Sequence, residues 1–169
     1  MQKPKFFAGI TAPALFTILV LLSLSSSAAA QAQQAGPPWG PETPNFNLEV
    51  ILRGEGFGLV KFRQPNDDAF IVYLDVWLRN LEPDTSYLLQ RAVDTNVDGN
   101  CTSTAWLTLG KGSLPQSITT DETGTGREKL FRILPPSPGS EFDIHFQVVE
   151  EDTGEVVLTS KCYQFTISQ

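Results

Sequence analysis

From Asn45 onward the chain alternates apolar and polar residues, and this period of two constrains the fold more than any other feature. Phe46, Leu48, Val50 and Leu52 alternate with Asn45, Asn47 and Glu49. In a strand, successive side chains point to opposite faces, so one such set faces a core. Ala69–Arg79 is the clearest case: Phe70, Val72, Leu74, Val76 and Leu78 make an apolar face, and Ile71, Tyr73, Asp75, Trp77 and Arg79 make the other. Further strands are expected over 59–62, 86–93, 104–109, 117–120, 127–134, 142–148, 156–159 and 163–167. Gly54, Gly56 and Gly58 weaken a strand and mark a bulge or bend, and turn residues separate the rest: Gln64 to Asp68; Asp121 to Gly124; Pro135, Pro136, Pro138 and Gly139; Asp152 to Gly154. No segment carries a long helical period. Eight or nine short strands predict an all-β fold, a Greek-key antiparallel β-sandwich over 45–169. A small closed barrel is the second choice.

Ahead of this domain lies a segment with the pattern of an export signal. Lys3 and Lys5 precede a largely apolar stretch from Phe6 to Leu24, and Ser25 to Ala30 supplies the small residues that signal peptidase accepts. Residues 1–30 are read as the signal peptide, with cleavage after Ala30 or Ala32. The competing reading is an uncleaved anchor, because a spanning helix needs about 20 apolar residues. Pro13 and the Ala-x-Ala exit favour cleavage. Residues 31–44 hold Gly36, Pro37, Pro38, Gly40, Pro41 and Pro44, which predicts a linker or strap in which Trp39 is free or docked.

Removing residues 1–30 takes two lysines and no acids, so the formal charge moves from −7 to −9. An acidic domain repels phosphate backbones and anionic bilayers, so no nucleic-acid partner is expected, and no membrane partner after signal cleavage. The expected address is the secreted or cell-envelope space. There, two cysteines usually form a disulfide. Cys101 and Cys162, 61 positions apart, allow one intramolecular pairing, the alternative being two free thiols. The bond would stabilise the fold by about 4 kcal/mol in the chain-entropy model.

Two stretches resemble known modules. Leu81-Glu82-Pro83-Asp84-Thr85-Ser86-Tyr87 is similar to the L-x-P-x-T-x-Y corner of fibronectin type III and related immunoglobulin-like sandwiches. Thr120-Asp121-Glu122-Thr123-Gly124, with Pro138 to Ile144 downstream, is similar to hairpins of bacterial immunoglobulin-like and prealbumin-like modules. The resemblance implies a Greek-key sandwich in which Leu81, Pro83 and Tyr87 form a structural corner, the Tyr87 hydroxyl tying an inter-sheet connection to nearby backbone. It implies no activity. The Cys–Trp–Cys arrangement of true immunoglobulin domains is absent, because Cys101 and Cys162 fall late.

Chemistry-bearing patterns are few. His145 is the single histidine, which excludes a multi-histidine metal site within one chain. Its alternation places it toward solvent. No G-x-S-x-G elbow is present. Asp94-Thr95-Asn96-Val97-Asp98-Gly99 matches half of a calcium loop, making Asp94, Asn96 and Asp98 candidate ligands. The twelfth position, however, is Ala105 rather than a bidentate Glu, which favours a plain inter-strand loop and no cofactor. Asp121, Glu122, Glu141, Asp143, Glu150, Glu151 and Asp152 cluster at strand ends, where solvated turn acids are the favoured reading and a glycosidase pair the alternative. Tyr73 and Trp77 share a face with Asp75 and Arg79, their rings roughly 13 Å apart along the strand. Aromatic and polar groups together make a candidate platform for a protein or a glycan, unless that face is covered. Trp106 carries the same ambiguity. The expected function is a non-catalytic binding or structural module. The alternatives are a small secreted enzyme using carboxylates and a calcium-stabilised accessory domain.

Overall fold

The computed structural model describes residues 47–168 apart from Pro136. The expected signal peptide, the strap with Trp39, and the start of the first strand at Asn45 and Phe46 lie outside the described residues. Within them there is no helix, and none is long and apolar enough to cross a membrane. Twelve strands run in order: β1 Asn47–Gly54, β2 Phe57–Arg63, β3 Ile71–Arg79, β4 Ser86–Asp94, β5 Leu107–Thr108, β6 Gly110–Lys111, β7 Leu114–Pro115, β8 Ile118–Thr119, β9 Gly126–Ile133, β10 Glu141–Glu150, β11 Val156–Ser160 and β12 Tyr163–Thr166. The long strands fall where the alternation predicts them. The expected strand over 104–109 shrinks to the two residues of β5, because the chain there is committed to a loop over the neighbouring strands.

The pairing corrects the expectation of two separate sheets. All twelve strands belong to one sheet, whose main path runs β5-β4-β10-β11-β1-β2-β3-β9-β6-β7. Every long-strand pair is antiparallel; the single Lys111↔Phe131 pairing of β6 with β9 is parallel. Strand β10 is the hinge of this arrangement. Along one edge it pairs β4; along the other it pairs β12 through residues 141–144 and β11 through 147–149. β11 then pairs the end of β1 at Leu52↔Ser160, carrying the ladder from one layer into the other. At the opposite seam β8 pairs the start of β4, and an isolated Thr120↔Gly126 bridge reaches β9. The sheet therefore curls into a nearly closed barrel.

The inward set of each strand fills it. Val50, Leu52, Val60, Phe62, Val72, Leu74, Val76 and Leu78 from β1–β3 meet Tyr87, Leu89, Ile144, Phe146, Val148, Leu158 and Phe165 from the other side, all 5 % exposed or less. Phe62 lies edge-on to Phe165 at 4.7 Å and to Phe146 at 6.1 Å, the geometry that aromatic quadrupoles prefer. At about 25 cal/mol per Å² of apolar surface, burying each such side chain contributes about 1.5–3 kcal/mol.

The second face of β4 and β10 is also covered, against expectation. Asp143 is fully buried, Gln147 nearly so, and His145 half-buried. The segment between β4 and β5 folds back over them. The Asp143 carboxylate accepts from the Asp98 and Gly99 amides at 3.0 and 2.6 Å. Nε2 of His145 donates to the Ser103 carbonyl at 3.0 Å, and its ring lies 4.6 Å from that of Trp106. Gln147 donates to Gln90, which donates to Thr108. The Cys101–Cys162 disulfide pins the segment to the β11–β12 junction. His145 and Asp143 are thus anchors of a covering loop rather than solvated groups, because a polar side chain leaves water readily only where it finds partners.

Candidate binding face

The outward face of β1, β2, β3 and β9 remains open, and register decides its composition. Three cross-strand rows carry most of the charge. In the first, Arg53 stands opposite Phe57, and Phe57 opposite Arg79. In the second, Ile51, Leu59, Trp77 and Arg127 follow one another. In the third, Glu49, Lys61, Asp75 and Lys129 alternate in sign. A fourth brings Arg63, Tyr73 and Phe131 together.

Tyr73, Asp75, Trp77 and Arg79 therefore share one face, and the structure adds partners from three other strands. The Arg79 guanidinium lies 4.4 Å from the centre of the Trp77 ring and 4.9 Å from that of Phe57. Arg127 lies 4.7 Å from the Trp77 ring, and Arg53 4.5 Å from Phe57. Arg53, Phe57, Arg79, Trp77 and Arg127 form a continuous ladder of cations and rings. Each contact contributes about 0.5–1 kcal/mol at an exposed site and fixes the guanidinium plane. Trp77 is half-buried beneath its arginines, while Tyr73 remains 42 % exposed. The sequence placed both aromatics on a platform but did not reveal that only Tyr73 is open. Nε1 of Trp77 is buried without a hydrogen-bond partner among the described residues.

The charge balance of this face opposes that of the chain. Arg53, Lys61, Arg63, Arg79, Arg127 and Lys129 are six of the ten lysines and arginines beyond residue 30, and all are exposed. Against them the same strands carry Glu49, Asp75 and Glu128, the last lining the groove and paired with Lys111 at 3.3 Å. Among the described residues only Lys61 of the six reaches a carboxylate, Glu49 at 4.0 Å. Net charge, from which an anionic partner was expected to be repelled, does not describe the field over this face. A groove of about 610 Å³ runs along its middle, lined among others by Leu59, Lys61, Asp75, Trp77, Arg127 and Lys129.

The other candidate residues make local hydrogen bonds. Both Asp94 oxygens accept hydrogen bonds from Thr102 and Ser103. Burial works to raise the Asp94 carboxyl, but these hydrogen bonds and the nearby His145 outweigh it and hold the pKa below the ordinary value. Asp98 accepts from the Asn100 amide and from the Asn96 side chain. No group of three acids, histidines or cysteines able to hold a metal occurs among the described residues. Of the strand-end acids, Asp121 closes its own turn on Thr123 and Thr125, Asp143 holds the covering loop, Glu150 accepts from Thr153 and Glu151 from Ser117.

The corner of Leu81, Pro83 and Tyr87 meets the hairpin over 120–124. Leu81 and Tyr87 are buried and Pro83 is exposed. Burial pushes the Tyr87 phenol above its ordinary pKa, against a hydrogen bond from the Glu82 backbone, and the charges of Glu150 and Glu82 add to the rise. Thr120, on the hairpin, donates its hydroxyl to the Glu82 carbonyl at 2.6 Å. No protein-family model matches the chain, and no curated protein matches it either.

Proposed function

We propose that the chain is an exported, non-catalytic binding module that holds an anionic ligand on the outward face of β1, β2, β3 and β9. One observation carries this reading: six unneutralised or weakly neutralised cations stand on one face of an acidic domain, three of them ordered over aromatic rings. Unpaired like charges brought together by register cost stability, and a counter-charge on the ligand repays that cost. Export rests on the signal-like residues 1–30 and agrees with the disulfide.

The test is chromatographic. A protein of formal charge −9 should pass a sulfonate cation exchanger at pH 7 unless one face binds it. The exported chain is expected to be retained and to elute with salt. Arg79→Ser/Arg127→Ser/Lys129→Ser should elute much earlier, and Lys161→Ser, between β11 and β12 and outside these four strands, should not. Passage of the parent protein in the void volume at low salt would remove the reading.

A further inference from the structure

We propose that the ligand of this face is an acidic polysaccharide, one whose carboxylate or sulfate groups are interleaved with free hydroxyls; the proposal rests on the reading above. The argument starts from the row Glu49, Lys61, Asp75, Lys129, which crosses the groove with alternating sign at about 4.8 Å per strand. Asp75 stands between two lysines in register, yet neither ammonium comes within ion-pair distance of it, and it accepts no hydrogen bond from a described residue. A polymer of closely spaced charges with no hydroxyl donors between them would set one of its charges against Asp75. A saccharide sets a hydroxyl donor there and its acid groups on Lys61, Lys129 and Arg127.

Trp77 supports the same chemistry. With Arg79 and Arg127 lying over its ring, the indole face is not open for stacking, but the two guanidinium groups keep their in-plane N–H donors for a bidentate carboxylate or sulfate. Their order is set before any ligand arrives, which lowers the entropy lost on binding.

A protein partner fits less well. Specific protein interfaces are depleted in charge at their centre and place apolar anchors there. Here the centre is the charged row, and the exposed apolar side chains, Tyr73 and Ile133, stand toward one end.

Titration with five probes separates the outcomes: polygalacturonate, dextran sulfate, neutral dextran, poly-L-glutamate and single-stranded DNA, followed by tryptophan fluorescence and calorimetry. At least one of the two acidic polysaccharides is expected to bind, with affinity falling as salt rises, and dextran is expected not to. Poly-L-glutamate and DNA should bind at least about tenfold more weakly. Arg79→Ser and Arg127→Ser should each weaken polysaccharide binding about tenfold or more, the worth of one charged hydrogen bond. Asp75→Asn should narrow the gap by strengthening poly-L-glutamate and DNA. Equal affinity for poly-L-glutamate or DNA would overturn the polysaccharide assignment while the cation-exchange result still supports an anion-binding face. Failure of both acidic polysaccharides to bind would overturn the assignment, and loss of column retention as well would remove the face itself.

Discussion

Gly124 presses its backbone against the Leu81 carbonyl so closely that a Cβ there would land on the oxygen. The Leu81 amide in turn donates to the Gly124 carbonyl at 3.2 Å. Gly124 also sits at φ 71°, in the left-handed region. Two separate reasons therefore demand glycine, and substitution tells them apart. Gly154 has a similar φ of 72° with open space around it. Gly154→Ala should cost about 1–2 kcal/mol, the left-handed penalty alone. Gly124→Ala adds a backbone collision and should cost at least about 2 kcal/mol more, given the 1–3 kcal/mol stored in a strained residue. Denaturant unfolding of the two variants, with unchanged m-values, checks the difference.

Asp121 next to this contact makes the acid stability of the domain predictable. The Thr123 hydroxyl, then the Thr125 and Thr123 amides, hold its carboxyl below the ordinary 3.8. A lowered folded-state pKa contributes stability that is complete above the unfolded value and is lost as pH falls through the folded one. Unfolding free energy should therefore fall as pH drops below about 3.8. The Asp121→Asn variant should lose part of that slope, being less stable at pH 7 and closer to the parent at pH 2. Melting curves from pH 2 to 7 measure it. Identical slopes would show that Asp121 gains nothing from its turn.

Asp143 holds the covering loop rather than the core. Removing its carboxylate leaves the Asp98 and Gly99 amides without their acceptor, a loss of about 1–3 kcal/mol. Asp143→Ala should raise hydrogen exchange at residues 95–106 well before it affects β3 or β10. Exchange that rises uniformly across the barrel would mean that loop and core open together.

Much of this fold is legible in the alternation, and the failures share a cause. A period of two says that Asp143, His145 and Gln147 share a face, and they do. It cannot say that a distant loop lies over that face, because the loop's own sequence carries no period. The binding face is legible in one strand of four. Tyr73, Asp75, Trp77 and Arg79 are neighbours in sequence, whereas Arg53, Phe57, Lys61, Arg127 and Lys129 join them only through register, which pairing and turn geometry set. The glycines at 54, 56 and 58, read as marking a bulge or bend, flank the β1–β2 turn, with Gly54 ending β1 and Gly58 inside β2. The contact between the corner and the 120–124 hairpin involves both stretches that resembled known modules, which local sequence could identify but not bring together.

The disulfide offers the last test, because its effect on the barrel and on the loop differ. Cys101 lies in the covering loop and Cys162 between β11 and β12, so the bond closes 61 residues that include β5 to β11. In the unfolded chain this closure removes entropy worth about 4 kcal/mol. Cys101→Ala/Cys162→Ala should therefore melt on the order of 15 °C lower. The folded double variant should keep its β spectrum, because the barrel interior is packed without the cysteines. It should lose protection across 95–106, where Asp94, Asp143 and His145 then hold the loop. A variant that melts at the parent temperature would show that the loop ends are already held close in the unfolded chain, and that the entropic account of this bond is wrong.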